Sequence, residues 1–368
     1  MLANKVQFTL LNNTTMLKSK TNQFRLLILF LILCINYIIF CRNRKPYDYS
    51  NIPVNQFTCD TKSHHRDKFL TSNFFTLKSS GGLGNQLFET FSILGIAKNL
   101  QRIPFFNTKD RDLIESMELL SENVPRLLED FLLLPIEIDN ATRFVQTYTC
   151  CSYETHPLLK CEQSKYLVIE GAYFQSFKYF EHLGIDNIKN YITSSKSEFI
   201  LNYEKHEMIP VESSKFKICV HIRRGDFLQD QVHEGSDSRF IRNAMEFLRK
   251  KFEKNTIFYV FGNDPKWVEE ELKDLTEAKI EIMRTPPNLA IADLKFSIKH
   301  CDSVLITAPS STFGWWLGFL SKNQENVFYR DIYETNDQVK YELSVDDFYP
   351  KTWNKLGMRM EDGEIFGN

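Results

Sequence analysis

From residue 216 onward, apolar and polar positions alternate in a regular rhythm of short runs and longer periodic segments. Ile218, Val220 and Ile222 alternate with Cys219 and His221 and stop at Gly225. A short apolar run bounded by glycine suits a strand buried on both faces. The pattern predicts strands at 216–222, 256–261, 279–283 and 303–307, separated by helices at about 237–254, 265–273 and 289–299. Strands alternating with helices imply a parallel, doubly wound sheet. Nearer the amino terminus, Phe74 to Lys78 reads as a strand, Gly81 to Gln86 as a glycine turn and Leu87 to Leu100 as an apolar-periodic helix. Between Arg102 and Glu212 the rhythm is irregular, with strands near 144–149 and 166–170 and helices near 175–183 and 185–202. Five of the ten residues from Gly171 to Phe180 are aromatic, which core packing explains.

One segment falls outside this rhythm. Leu26 to Cys41 is a stretch of 16 residues without a charge, and the 25 residues before it carry Lys5, Lys18, Lys20 and Arg25 with no acidic residue. Bulky Tyr37, Ile38, Ile39 and Phe40 stand where a signal-peptidase site needs small residues, so the segment reads as an uncleaved signal anchor. It is short for a span of about 20 residues, which suits the thinner membranes of the early secretory pathway. Pro46, Pro53 and mixed polar residues follow as a stem.

Composition adds little to the fold but narrows the function. The chain has 368 residues, long enough for two domains. A net charge of -2 supplies no general attraction for nucleic acid, so any anion site is local. With the body on the lumenal side, disulfides among Cys59, Cys150, Cys151 and Cys161 are allowed, whereas Cys219 and Cys301 beside apolar strands read as buried free thiols. No zinc-type Cys-x-x-Cys pair exists. Asn140-Ala141-Thr142 is the one glycosylation sequon beyond the anchor.

Candidate chemistry gathers at strand ends. In open α/β sheets, ligands sit outside the carboxyl ends of strands. Three loops are expected there: Arg223 to Asp226, Gly262-Asn263-Asp264, and Ala308 to Gly314 with Ser310, Ser311 and Thr312. A positive pair, an Asn-Asp turn and a hydroxyl-rich helix start on one rim suit a nucleotide diphosphate. The Arg-x-x-Asp cluster is equally an ordinary ion pair at a strand end. Gly81-Gly82-Leu83-Gly84-Asn85-Gln86 matches neither the dinucleotide fingerprint nor the P-loop. Asp110-Arg111-Asp112 has the form of a metal-binding Asp-x-Asp, but it follows polar sequence and reads as a solvated loop.

Three stretches together resemble the inverting α-1,2-fucosyltransferases, which use GDP-fucose. They are Gly81 to Phe88, Val220 to Asp226 (V-H-I-R-R-G-D) and Ser310 to Trp316 (S-S-T-F-G-W-W). The stretch Tyr173 to Phe180 is similar to a further segment of that family. The resemblance implies a GT-B-like α/β fold of two Rossmann-like domains with parallel sheets, preceded by a single transmembrane helix. The implied parts are a cytosolic tail (1–25), anchor (26–41), stem (42–70), acceptor-side domain (71–212), GDP-fucose domain (213–335) and extension (336–368).

The resemblance also implies a Golgi type II membrane protein that fucosylates a terminal galactose of a glycan without an obligatory metal or cofactor. Donor contacts would come from Gly82, Gly84, Asn85, His221, Arg223, Arg224, Asn263, Asp264, Ser310, Ser311 and Thr312. Arg223 would neutralise charge growing on the β-phosphate, as a divalent cation does elsewhere. The base for the acceptor hydroxyl is left among Asp226, Asp230 and Glu234, with Asp226 the motif carboxylate and an alternative role for it in orienting Arg223. His221 either faces the donor or packs in the strand. A catalytically silent, membrane-anchored carbohydrate-binding relative is the competing reading.

Overall fold

The computed structural model describes residues 67–367, apart from residues 80, 138–140, 148, 156, 195–197, 207–210, 213, 254 and 276. The expected tail, anchor, most of the stem and Asn140 lie outside the described residues. Among the described residues no helix is long and apolar enough to cross a membrane.

Two sheets carry the described residues. The first contains β1 (Phe69–Ser72), β2 (Ile103–Asn107), β3 (Leu132–Leu134), β4 (Thr142–Thr147) and β5 (Tyr166–Gly171), all parallel, in the order β3-β2-β1-β5-β4. The second contains β6 (Phe216–Ile222), β7 (Thr256–Gly262), β8 (Lys279–Ile282), β9 (Ser303–Ile306), β10 (Val327–Arg330), β11 (Asn354–Met358) and β12 (Ile365–Gly367). Its order is β8-β7-β6-β9-β10-β11-β12, parallel except for antiparallel β12. This is the doubly wound dinucleotide-fold order, and its strand sequence reverses between β6 and β9. The four strands expected from the alternation match β6 to β9 to within a residue at each end.

Elsewhere the chain departs from expectation. Residues 336–368 are no appendage, since β11 and β12 complete the second sheet. Phe75–Lys78 is one helical turn and not a strand; the strand is β1 just before it. Phe74 turns the chain at φ 45°, and the carboxylate of Glu89 accepts the Thr76 and Leu77 N–H groups at 3.2 and 2.9 Å. A buried acceptor thirteen residues away thus outweighs the strand propensity of Phe-Phe-Thr. The expected 175–183 helix is two 3-10 turns, Phe177–Tyr179 and Glu181–Leu183. Asp110 is no solvated loop residue either: it caps the Arg111–Ser116 helix through Leu113 N–H at 3.1 Å and pairs with Lys78 at 3.1 Å.

The Leu83–Asn99 helix is buried on nearly every face, including Gln86, Glu89, Thr90 and Ser92. It lies against the Thr312–Phe319 helix that follows β9. Phe88, Phe91, Phe180, Trp315 and Trp316 stack between them, with Phe88 4.5 Å from Trp315 and Phe180 5.5 Å from Trp316, ring centre to ring centre. Trp316 Nε1 donates to the Gly84 carbonyl at 2.9 Å. One continuous apolar cluster therefore reaches from β1 and β5 to β9 and β10.

Cys219 and Cys301 form a disulfide and are not free thiols, and Cys150 pairs with Cys151. The first pairing comes from sheet order: Cys219 sits in β6 opposite Val304, and Cys301 lies just before β9.

Buried titratable groups set a pH dependence. Burial pushes Glu89 and Asp293 up to about 7. Their folded forms keep a proton that the unfolded chain releases near 4 to 4.5, so their contribution is lost as pH rises through 7 and regained on acidification. His221 and His300 run the other way: burial, then neighbouring positive charge, lowers them to about 3 and 4, so they remove stability as pH falls below 6.5. The opposed pairs offset one another between pH 6.5 and 4.5. Glu89→Gln removes a pH-dependent contribution of up to about 3 kcal/mol that runs out between pH 4.5 and 7, so raising the pH across that window should cost the variant less melting temperature than the wild type.

Candidate active site

Sheet register brings the expected loops together. Ile222 of β6 pairs with Gly262 of β7, and His221 pairs with Ile306 of β9, so Arg223, Asn263 and Thr307 leave the sheet side by side at its reversal point. Ser236, fully buried, fastens the arginine turn. Its Oγ accepts from Arg223 N–H at 2.9 Å, its N–H donates to the Arg223 carbonyl at 2.7 Å, and its carbonyl accepts from Arg224 Nη1 at 3.0 Å. Thr307 Oγ1 donates to the His221 carbonyl and lies 2.7 Å from Ser236 Oγ. Asn263 closes the turn from β7, accepting Arg224 N–H at 2.9 Å and donating to Asp226 at 3.3 Å. A Cβ on residue 225 would lie 2.5 Å from Asn263 Nδ2, so a larger residue would have to push aside the amide that bonds Asp226.

The two arginines are held differently. Arg224 lies 3.8 Å above the Trp267 ring, with Asp264 3.9 Å from its Nε and Ser236 holding Nη1. Arg223 gives Nη2 to Asp226 at 2.7 Å, lies over Phe227 at 5.4 Å and keeps its side chain 30% exposed. Arg224 is braced, and Arg223 reaches further into the crevice. The Nε groups of both are buried without a hydrogen-bond acceptor among the described residues. Asp264 also caps the Pro265–Leu272 helix through Trp267 N–H.

The hydroxyl loop divides in the same way. Ser310 donates to buried Asp337, and Thr312 Oγ1 donates to Asn85 Oδ1 at 2.6 Å. Ser311 caps the Thr312–Phe319 helix by accepting Gly314 N–H at 3.4 Å, which leaves its own hydroxyl proton to give. Ser311 is therefore the hydroxyl of the three with a donor to spare for an anion. Ser311→Ala should weaken GDP binding by about 1 to 2 kcal/mol in calorimetry, with Thr312→Ala showing the larger fall in melting temperature. Equal GDP affinity in Ser311→Ala would leave that hydroxyl with capping alone.

The glycine turn meets this loop, though not as expected for every residue. A Cβ on Gly84 would lie 2.7 Å from Phe313 N, so this glycine serves helix packing. Asn85 Oδ1 accepts from Gln175 as well as Thr312 and is a bridge within the fold. A Cβ on Gly82 would meet nothing within 4 Å, so this is the glycine whose backbone is open to a ligand. His221 packs in its strand, 2% exposed and neutral, with its ring against Gly314 and Phe313.

All three candidate carboxylates have partners. Asp226 accepts from Arg223 and Asn263. Glu234 pairs with Arg330 at 3.1 Å and accepts Asn336 N–H. Asp230 accepts the N–H groups of Val232 and His233 and lies 2.6 Å from His233 Nδ1. Sequence reasoning missed Ser236, Trp267 and Asp337, because each acts through a neighbour distant in sequence and none belongs to a motif.

A strand-end crevice of this kind, with two arginines, a capped helix start and an open glycine, can hold a diphosphate and stabilise charge on it. The glycosyl transferase family 11 model matches residues 48–357. A galactoside 2-alpha-L-fucosyltransferase of Caenorhabditis elegans is 42% identical over 347 residues, covering 92% of this chain and 94% of the relative. The chain belongs to glycosyl transferase family 11. A second galactoside 2-alpha-L-fucosyltransferase of the same organism is 34% identical, over 87% of this chain and 84% of the relative. Among solved structures, POFUT1 in complex with GDP-fucose is similar at a TM-score of 0.41 and 11% identity, over 73% of this chain and 98% of that one. Within this family 11 chain, the matched span takes in both sheets up to β11 and all three loops of the crevice.

Proposed function

We propose that the protein transfers L-fucose from GDP-fucose to a hydroxyl of a galactose-terminated glycan, O2 of the galactose by family likeness, with inversion, on a GT-B-like scaffold. The observation that carries this reading is the Arg223–Arg224 turn at the reversal point between β6 and β9, facing a helix start. A buried N–H without an acceptor costs about 1 to 3 kcal/mol, and both arginine Nε groups are in that state. Phosphate oxygens of GDP would satisfy them. Arg223 stabilises the leaving β-phosphate, Asp226 orients Arg223, and Arg224, Asn263, Asp264 and Ser311 hold the donor. The guanidinium takes the charge-neutralising role, so activity survives exhaustive chelation.

The reading extends to the whole chain. Residues 1–25 and 26–41 serve as cytosolic tail and anchor, the stem runs from 42 to 68 and stops at β1, two residues short of the expected boundary, and the body is lumenal in the Golgi. The Cys219–Cys301 and Cys150–Cys151 disulfides support an oxidising compartment. The test is incubation of the full-length protein with GDP-fucose and a panel of galactosides, with nuclear magnetic resonance reading the linkage and anomeric configuration of the product. GDP binding without transfer to any galactoside would favour the silent carbohydrate-binding relative.

A further inference from the structure

We infer that His233 is the base that takes the acceptor hydroxyl proton, with Asp230 as its positioning residue; the inference rests on the fucosyl-transfer reading above. An inverting displacement wants a base opposite the leaving phosphate. Asp226 and Glu234 are engaged by an arginine each, and Asp226 accepts from Asn263 and Glu234 from Asn336 N–H as well, so their oxygens are already committed within the fold.

His233 is held by a carboxylate and an aromatic ring instead. Its Nδ1 lies 2.6 Å from Asp230 Oδ2, and its side chain is 29% exposed. Its ring stacks on Phe227 at 4.2 Å and 18°, which fixes the ring plane. Arg223 lies over that same Phe227 ring at 5.4 Å. The two distances set an upper limit of about 10 Å on the separation of guanidinium and imidazole, the scale on which the paired catalytic groups of inverting glycosidases stand.

The tautomer follows from the partner. Partial burial of Asp230 works against its ionisation, but the N–H groups of His233 and Val232 outweigh that and hold the carboxyl below its usual range. A carboxylate only accepts, so Nδ1 carries a proton, and in the neutral ring the lone pair is therefore on Nε2. The arrangement repeats the carboxylate–imidazole logic by which an acid fixes the tautomer of a base. The charged groups around His233 are Asp230 on its own loop, Arg223 across Phe227, Glu234 beside it, and Asp337, which accepts Glu234 N–H at 3.2 Å.

The step balances. The acceptor oxygen bonds to C1 of fucose as its proton passes to Nε2, and the bond from C1 to the β-phosphate oxygen breaks with its electron pair going to GDP. The partly exposed imidazolium then returns the proton to water.

His233→Phe keeps the stack on Phe227 and removes the base, and His233→Gln keeps a polar side chain in the exposed loop. In the full-length protein both should lower kcat by about a hundredfold or more, with GDP affinity within about twofold of wild type, and the acid limb of the wild-type pH profile should vanish from the residual activity. Asp230→Asn can present an NH2 to Nδ1 and favour the wrong tautomer, so it should lower kcat while the KM for GDP-fucose stays near wild type. Turnover within about threefold of wild type in either His233 variant, or an unchanged acid limb, overturns the assignment. A wild-type chain that transfers fucose to no galactoside of the panel overturns the functional reading and this inference with it.

Discussion

Arg223→Lys should lower turnover by about a hundredfold or more while the protein stays folded. Lysine keeps the charge but loses the planar fork, and Arg223 needs two directions of donation at once. One Nη2 bond goes to Asp226 at 2.7 Å, and Nε finds no acceptor among the described residues. Removing one preorganised donor at a developing oxyanion costs roughly 2.7 to 4 kcal/mol of activation free energy, which is the hundredfold or more stated above. Stability should hold, because the side chain is partly exposed and the turn itself is fastened by Ser236 through the Arg223 backbone. Melting temperature and turnover measured on one preparation decide the matter. An early-melting variant whose folded fraction turns over normally would make Arg223 a structural arginine.

The second large effect is on stability. Gly84→Ala should destabilise the fold by roughly 2 to 3 kcal/mol, a fall of about 5 °C in melting temperature. The new methyl would meet backbone, Phe313 N at 2.7 Å and the Thr312 carbonyl carbon at 2.9 Å, which no rotamer change can move aside. Better helix propensity returns at most about 1 kcal/mol in a helix interior, and less this near the helix start. Separating the helices would also lengthen the Thr312–Asn85 bond, so GDP affinity should fall together with stability. Gly82→Ala is the contrast: its Cβ meets nothing and its φ of −58° suits alanine, so melting temperature should not change. Equal melting temperatures for the two variants would refute the packing role of Gly84.

These glycines show what was legible in the sequence. The strands β6 to β9 were, because alternation and glycine stops are local signals, and their loops landed on one rim once the sheet order followed the doubly wound rule. Phe75–Lys78 was misread because Glu89, a helix turn and a loop away, supplies the acceptors that hold the turn helical. The Cys219–Cys301 pairing depends on which strands become neighbours across 82 residues. The site followed the same division. Arg223 and Arg224 stand out as a motif, but that one is braced on Trp267 while the other reaches outward is a matter of side-chain neighbours. Ser236 carries no local signal at all, being one serine whose three polar groups meet the arginine turn.

The aromatic stack between the Leu83–Asn99 and Thr312–Phe319 helices also bears on motion. Two halves joined by a thin, polar seam open and shut like jaws, but here Phe88, Phe180 and Trp316 fuse the layers beside the two sheets into one core, and rocking apart would expose those rings to water. Admission of substrate then falls to segments with little packing to lose, such as the run of exposed residues at 228–232. Small-angle scattering should therefore return the same radius of gyration with and without GDP.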